Sequence, residues 1–459
     1  MTPLNVLLVT YSFPPVGGVG VLRAASLARY LRAEGIRLDV LTARNASSVG
    51  TDTTLLAEIP ASVTIHRTLA LDLPFAIKKA IKKLIVGGKA GDKATAAKPA
   101  AKPSFLKRML QDILLPDPQV TWLPALSRAA RRLVKKRNID LVLITVPPFS
   151  SVLLVEKLRK EFPLLPIVID FRDEWLSTTI GLVSFSRSDR AMAVARRAES
   201  AAVTQATAVV AVTEAARLEI RGRYPQERDN KFQLIPNGFD ATRIRRSATP
   251  RQPRADGKIV VTYIGSVYRS TEPATFVQAV QSLPEAVKSR FKIRFIGYIE
   301  EPRFREILMQ LGDMVELNGF LPQHEALAAI DETDYLLLIT HDTLNVPAKF
   351  YDYIGGGRPI LATVHPDGDV RRMIETLRAG WWAGSRDVAG IRQLFMDAAA
   401  RGTSLQAAFQ PDFGSIAQYE RKVLATRYAR LLHSIAAQPH GSEVEVQASA
   451  LPERSVRNA

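Results

Sequence analysis

The sequence predicts an α/β fold made of two doubly wound parallel-sheet domains. Three observations lead there. Short apolar runs alternate with amphipathic stretches in two successive series along the 459 residues. A Pro- and Arg-rich segment, residues 247–257, separates the series, and glycines follow the first strand of each. Length agrees, since single cores rarely grow past about 250–300 residues.

The first series opens at residues 5–10, an unbroken apolar run that reads as a buried parallel strand. The loop Tyr11-Ser-Phe-Pro-Pro-Val-Gly-Gly-Val-Gly20 follows. Leu22, Ala25, Leu27, Ala28 and Leu31 have helical spacing, Gly35 ends that helix, and 37–42 is the next strand. Strand, glycine loop, helix, strand is the opening of a Rossmann-like unit. Alternation continues with helix 126–137, strand 141–145, helix 150–160, strand 167–170, helix 188–202, strand 208–212 and helix 214–224. Residues 232–240 form a strand and a turn.

The second series runs through strand 259–264, Gly265, helix 274–283, strand 292–296, Gly297, helix 302–311, strand 315–317, helix 324–330 and strand 335–339. One last helix is expected over 415–436, and the polar, aperiodic residues 438–459 are expected to be disordered. These signals divide the chain into a first Rossmann-like domain over 1–245 and a second over 246–412. A helix over 413–437 should pack back on the first, ahead of the tail 438–459.

The most informative run is Val346-Pro-Ala-Lys-Phe-Tyr-Asp-Tyr-Ile-Gly-Gly-Gly-Arg-Pro-Ile-Leu-Ala362. Pro347 and Lys349 open a short helix, and Gly355 to Gly357 end it before a buried strand. Free N–H groups and partial positive charge at a helix start make an anion site, and a lysine there suits phosphate. Asp352, one turn deeper, can accept hydrogen bonds from sugar hydroxyls. Phosphate plus ribose suggests a nucleotide; the plainer reading is a surface helix with a stop signal.

Composition narrows the classes. With 47% hydrophobic residues the chain suits a globular enzyme. No run of 18 uncharged apolar residues occurs, so no membrane-spanning helix is expected, and the N-terminus does not read as a signal peptide. The absence of cysteine excludes disulfides and thiolate metal sites, and fits a cytoplasmic protein. The six histidines show no metal-ligand spacing. No nucleophile elbow, Walker loop or nucleic-acid motif is present. The net charge of +17 is concentrated: between Lys78 and Arg108 stand ten Lys/Arg and one acid. That points to an acidic surface partner for one segment.

Taken together, the motifs of both halves resemble glycosyltransferase family 4. The resemblance rests on the loop from Tyr11 to Gly20, Ile169-Asp-Phe-Arg-Asp-Glu-Trp175, Ile235-Pro-Asn-Gly-Phe-Asp240, Tyr263-Ile-Gly-Ser266 and the run from Val346, in that order. It covers about 5–436, and is nearest to bacterial members that build exopolysaccharide, capsule or cell-surface glycans. It implies the GT-B arrangement, two Rossmann-like domains facing a cleft with the C-terminal helix crossing back. It also implies retaining transfer from a UDP- or GDP-sugar, with no covalently bound cofactor and no metal requirement.

The resemblance implies roles for particular residues. Gly17 and Gly18 let a ligand approach the start of the first helix; otherwise they serve a tight turn. Gly265 and Arg269 repeat that logic in the second domain, where a cation grips the donor pyrophosphate together with Lys349. Arg269 reads equally well as a solvated loop charge. Asp352 stands where the family has the glutamate that binds the ribose. The family's earlier acid would fall at Leu344 and is missing, which leaves contacts to the transferred sugar open. Asp173 is the candidate to orient or deprotonate the acceptor hydroxyl, or else pairs with Arg172 structurally. Trp175 packs against a sugar or fills the core.

The basic insertion, 75–114, carries two amphipathic stretches. Ile77, Ala80, Ile81, Leu84 and Ile85 share one face opposite Lys78, Lys79, Lys82 and Lys83. Such stretches lie on anionic membranes or pack on a domain with their lysines in water. The expected partners are therefore a nucleotide-sugar, a glycan or lipid-linked acceptor and an anionic membrane surface, with no nucleic acid. The expected location is the inner face of the cytoplasmic membrane. Two other readings share the architecture: a nucleotide-sugar epimerase, and an inactive membrane-associated scaffold.

Overall fold

A computed structural model of the chain describes residues 3–46, 51–70, 114–177, 188–244, 256–402 and 409–437. Except for Leu114, the basic insertion lies outside these residues, as does the 438–459 tail.

Two parallel sheets carry the fold. The first has the order β3-β2-β1-β4-β5-β6-β7, with β1 (Leu4–Val9), β2 (Ile36–Ala43), β3 (Thr64–Thr68), β4 (Leu141–Val146), β5 (Ile167–Phe171), β6 (Ala208–Ala211) and β7 (Phe232–Leu234). The second has the order β10-β9-β8-β11-β12-β13. Its strands are β8 (Ile259–Ile264), β9 (Phe291–Ile296), β10 (Val315–Gly319), β11 (Tyr335–Ile339), β12 (Ile360–Val364) and β13 (Gly380–Gly384).

The unbroken apolar runs are explained by burial on both faces. Along β1, Leu7 and Val9 enter one core while Val6 and Leu8 enter another. Along β11, Tyr335, Leu337 and Ile339 face one core and Leu336 and Leu338 the other. Alternate residues of a strand point to opposite faces, so a sheet covered by helices on both sides needs apolar residues throughout.

The helices used below are α1 (Val19–Tyr30), α2 (Asp189–Gln205), α3 (Glu214–Arg223), α4 (Ala348–Gly356), α5 (Asp369–Leu377) and α6 (Arg421–Ala436). The expectation of one helix over 415–436 is corrected. A short helix, Phe413–Ala417, precedes α6, and Glu420 between them is extended. The break has a cause: the Phe239 N–H donates to the Tyr419 carbonyl (3.1 Å), and the Arg421 N–H donates to the Phe239 carbonyl (2.9 Å). The chain is pulled straight where it passes the first crossing between halves. Beyond it, α6 packs on α1, with Leu424, Tyr428 and Leu432 in the same core as β1.

Arg23 of α1 ties this region together. Its guanidinium donates to both carboxylate oxygens of Asp170 (3.0 and 2.9 Å), to the Ile235 and Pro236 carbonyls (2.7 Å each) and to the Tyr428 hydroxyl (2.6 Å). Tyr428 in turn donates to Asp170 (2.7 Å). Burial opposes the charge on Arg23, but Asp170 and Tyr428 more than offset it and raise its pKa. Removing one member of a buried pair strands the other charge, at a cost of about 3–5 kcal/mol. Arg23→Ala should destabilise the first half by about that amount in denaturant unfolding. The double variant Arg23→Met with Asp170→Asn should recover part of the loss.

Candidate active site

Both sheets reverse direction at their first strand, β1 lying between β2 and β4 and β8 between β9 and β11. In open parallel sheets ligands bind outside the strand carboxyl ends at such points. The two carboxyl edges face each other here, and a cavity of about 330 Å³ lies between them. The first half lines it with Gly20, Arg23, Arg172, Asp173 and Asn237, the second with Tyr268, Asp342, Asn345 and Pro347, and α6 with Arg421 and Tyr428.

Asp173 leaves the carboxyl end of β5 and lines the cavity. Its sequence neighbour Arg172 does not pair with it. That guanidinium donates to the carbonyls of Val146 (3.3 Å), Gly20 and Pro147. Burial pushes the Asp173 carboxyl up; Arg172 opposes this, and Asp342 across the cleft adds to it. The loop after Asp173 is rigidly held. Buried Glu174 accepts from the Leu176 and Ser177 N–H groups (3.2 and 2.6 Å), and Arg223 of α3 bridges Glu174 to Glu199 of α2 (2.7 and 2.8 Å). Trp175 stacks on Phe149 at 4.5 Å and is a core residue.

The loop ahead of α4 is shaped by Asp342. One of its oxygens accepts from the Leu344 and Asn345 N–H groups (2.8 and 3.0 Å), the other from the Asn345 side-chain amide (3.0 Å). Leu344 contributes its backbone: the carbonyl accepts from the Thr213 hydroxyl of the first half (2.6 Å). Asp369, at the start of α5, accepts from the Ala215 N–H in the first turn of α3 (2.8 Å). These two bonds join the halves beside the cavity.

The remaining expected residues are placed as follows. Pro347 is the N-cap of α4 and Lys349 lies in its first turn. Pro347 and Ala348 line the cavity, while the Lys349 ammonium is turned back onto the Tyr263 ring. Gly18 is the N-cap of α1, with φ of +104°, and Gly20 two residues on lines the cavity. Gly265 lies beneath the Lys349 side chain. Arg269 is 78% exposed and pairs with Glu301 at 3.2 Å, outside the cavity lining. Asp352 also lies outside that lining. Burial raises its pKa to about 6, Arg421 opposes this, Asp240 adds to it and Arg243 opposes it.

Sequence reasoning passed over Arg23, Asp369 and Arg421, and named Tyr263 as part of a motif without giving it a role. Arg23 carried a signal, a charge between the apolar positions Leu22, Ala24 and Ala25. Asp369 and Arg421 had none, because their partners lie far away in the chain. Exposed aromatics at the carboxyl ends of β9 and β10, Tyr298 and Phe320, also went unremarked. Among the described residues, no group of three or more His, Asp or Glu could hold a metal ion, and no helix is long and apolar enough to cross a membrane.

Comparison with known proteins bears on this arrangement directly. Residues 94–243 match the family model of Glycosyltransferase Family 4. The resemblance carried by the motifs is thus borne out. WcaL of Escherichia coli (strain K12), assigned as a colanic acid biosynthesis glycosyltransferase, is 30% identical over 174 residues, 36% of this chain and 41% of that protein. The chain thus spans about two fifths of the length of the curated relatives it matches.

Among solved structures, sucrose-phosphate synthase from Thermosynechococcus elongatus aligns over 94% of this chain and 98% of its own, at 14% identity and a TM-score of 0.66. WaaG, a glycosyltransferase involved in lipopolysaccharide biosynthesis, aligns over 93% and 99%, at 14% identity and 0.58. Anabaena Alr3699/HepE in complex with UDP-glucose aligns over 94% and 100%, at 13% identity and 0.59. These likenesses establish the fold: the expected GT-B arrangement is the one observed.

The Asp352 carboxyl gives a test of the site's electrostatics. Its folded pKa lies above the ordinary value of 3.8, so it favours the folded state when protonated and costs stability as pH rises through about 6. Asp352→Asn removes that cost. The variant should melt at a higher temperature than the parent at pH 7.5 and at nearly the same temperature at pH 4, measured by calorimetry.

Proposed function

We propose that this chain is a glycosyltransferase. It moves a sugar from a nucleoside diphosphate donor, with retention, to a glycan or lipid-linked acceptor in bacterial surface polysaccharide synthesis. The observation that carries this reading is the interdomain cavity. A carboxylate without a hydrogen-bond partner among the described residues, Asp173, lines it from the first half; the start of a lysine-bearing helix, α4, lines it from the second.

In this reading the second half, 246–412, holds the donor. The diphosphate lies against the first turn of α4, where unpaired N–H groups and Lys349 meet its charge, and the base stacks near Tyr298 and Phe320. When the sugar–oxygen bond breaks, negative charge develops on the leaving diphosphate, and these fixed donors stabilise it. Gly17 and Gly18 let the ligand approach the backbone at α1, Arg269 grips the pyrophosphate together with Lys349, and Asp352 serves the ribose. The first half, 1–245, presents the acceptor. Asp173 takes the hydroxyl proton, and its raised pKa makes it a better base for that step. UDP and UDP-glucose complexes of Alr3699/HepE support a nucleotide-sugar donor for this fold. The basic insertion would hold the first half on an anionic membrane at the cytoplasmic side, next to a lipid-linked acceptor.

The reading is tested with purified protein. A thermal-shift screen with UDP, GDP, ADP and their sugars should single out one base by a raised melting temperature. Turnover of the labelled donor should vanish in Lys349→Ala while the fold persists; activity equal to the parent would overturn the assignment. Asp173→Asn should lower kcat by about 10²–10⁴-fold with the donor KM little changed. Deleting 75–114 should abolish sedimentation with anionic liposomes.

A further inference from the structure

Lys349 does not point at the cavity its helix helps to line. Its Nζ sits 3.8 Å from the centroid of the Tyr263 ring and donates to the Tyr263 hydroxyl. That hydroxyl donates onward to the Ser266 carbonyl (2.8 Å). Tyr263 is fully buried in β8, with its ring against Phe295 at 5.1 Å, so this resting place is rigid.

Gly265 makes room for it. At φ of +125°, its missing Cβ would stand 2.9 Å from Lys349 Cε. The lysine stem therefore runs along bare backbone, in a slot that any side chain at 265 would fill. Among the described residues, no carboxylate balances the ammonium there. The titratable groups around Tyr263 are tyrosines, Tyr268 from the following turn and Tyr353 from α4. Asp352 of α4 has Arg421, Asp240 and Arg243 as its charged neighbours.

We propose that Tyr263 is a positioning residue for Lys349: it holds the side chain withdrawn over Gly265, and a nucleoside diphosphate entering the cleft draws it forward. This inference rests on the donor reading above. One hydrogen bond and a contact with the Tyr263 ring are worth little against two phosphate groups, so the exchange favours the forward position once the ligand arrives. The withdrawn lysine is half-buried, with no counter-charge among the described residues, and burial pushes its pKa down to about 7. Beside a diphosphate it is charged. Above pH 7 the amine lone pair must therefore take a proton from the buffer when nucleotide binds, and nucleotide affinity falls as pH rises, by up to about tenfold per unit.

Calorimetric titration of the full chain with UDP, GDP and ADP at pH 8, in phosphate and in Tris, reads that proton. The nucleotide that binds should take up nearly one proton per site in the parent. Lys349→Arg should bind with no uptake. Tyr263→Leu should free the lysine into water, reducing the uptake and tightening nucleotide binding several-fold. A purely structural role for Tyr263 would weaken binding and leave uptake unchanged, which overturns the proposal. Binding without uptake in the parent, or uptake that persists in Lys349→Arg, overturns it as well while leaving the donor reading intact. Binding of none of the three nucleotides overturns both.

Discussion

The buried pair of Arg23 and Asp170 is the constraint on which the rest of the first half depends. A guanidinium is costly to bury, and this one is tolerated because nearly every donor it carries is used. From α1 it reaches partners in three places: the end of β5, the turn 235–237 and α6. Cavity residues follow by short steps along the chain. Asp173 is three positions beyond Asp170, Gly20 three before Arg23, and Asn237 directly follows Pro236. One ion pair thus fixes the relative positions of a candidate base, a helix start and a turn. It is also why the last helix belongs to this half, since Tyr428 completes the pair.

The fold was legible where residues announce their own environment. Strands buried on both faces, such as β1, β4, β8 and β11, read as continuous apolar runs. Two of the four outermost strands did not. β3, Thr-Ile-His-Arg-Thr, is only partly buried, and β13, Gly-Trp-Trp-Ala-Gly, begins and ends in glycine, so neither looks like a core strand. The helix pair α5 and Val388–Arg401 was also passed over, although Val370, Ile374 and Leu377 have helical spacing. Of the site, the sequence pointed to Asp173, Gly265 and Lys349, all of which stand at strand or helix ends beside the cleft. It could not show that Lys349 is withdrawn, or that Leu344 acts through a carbonyl every residue possesses. Side-chain identity says nothing about either.

The glycine run after Lys349 illustrates how one motif serves several demands. Gly357 closes α4 in the left-handed conformation. Gly355 answers to packing: a Cβ there would stand 2.6 Å from the Phe239 ring. Phe239 is the residue whose backbone pairs with Tyr419 and Arg421. The helix that carries Lys349 therefore rests on the peptide that leaves the first half, and the second crossing lies against the same peptide.

That adjacency has a mechanical consequence. Among the described residues, the stretches at Phe239 and at Tyr419 to Arg421, beside the two crossings, lie together in one short ladder of backbone hydrogen bonds. The paired peptides at Phe239 and Tyr419 thus resist sliding of one half along the other. The Thr213–Leu344 and Ala215–Asp369 bonds are made by other parts of the two halves, at the cleft itself, where they act as its catch.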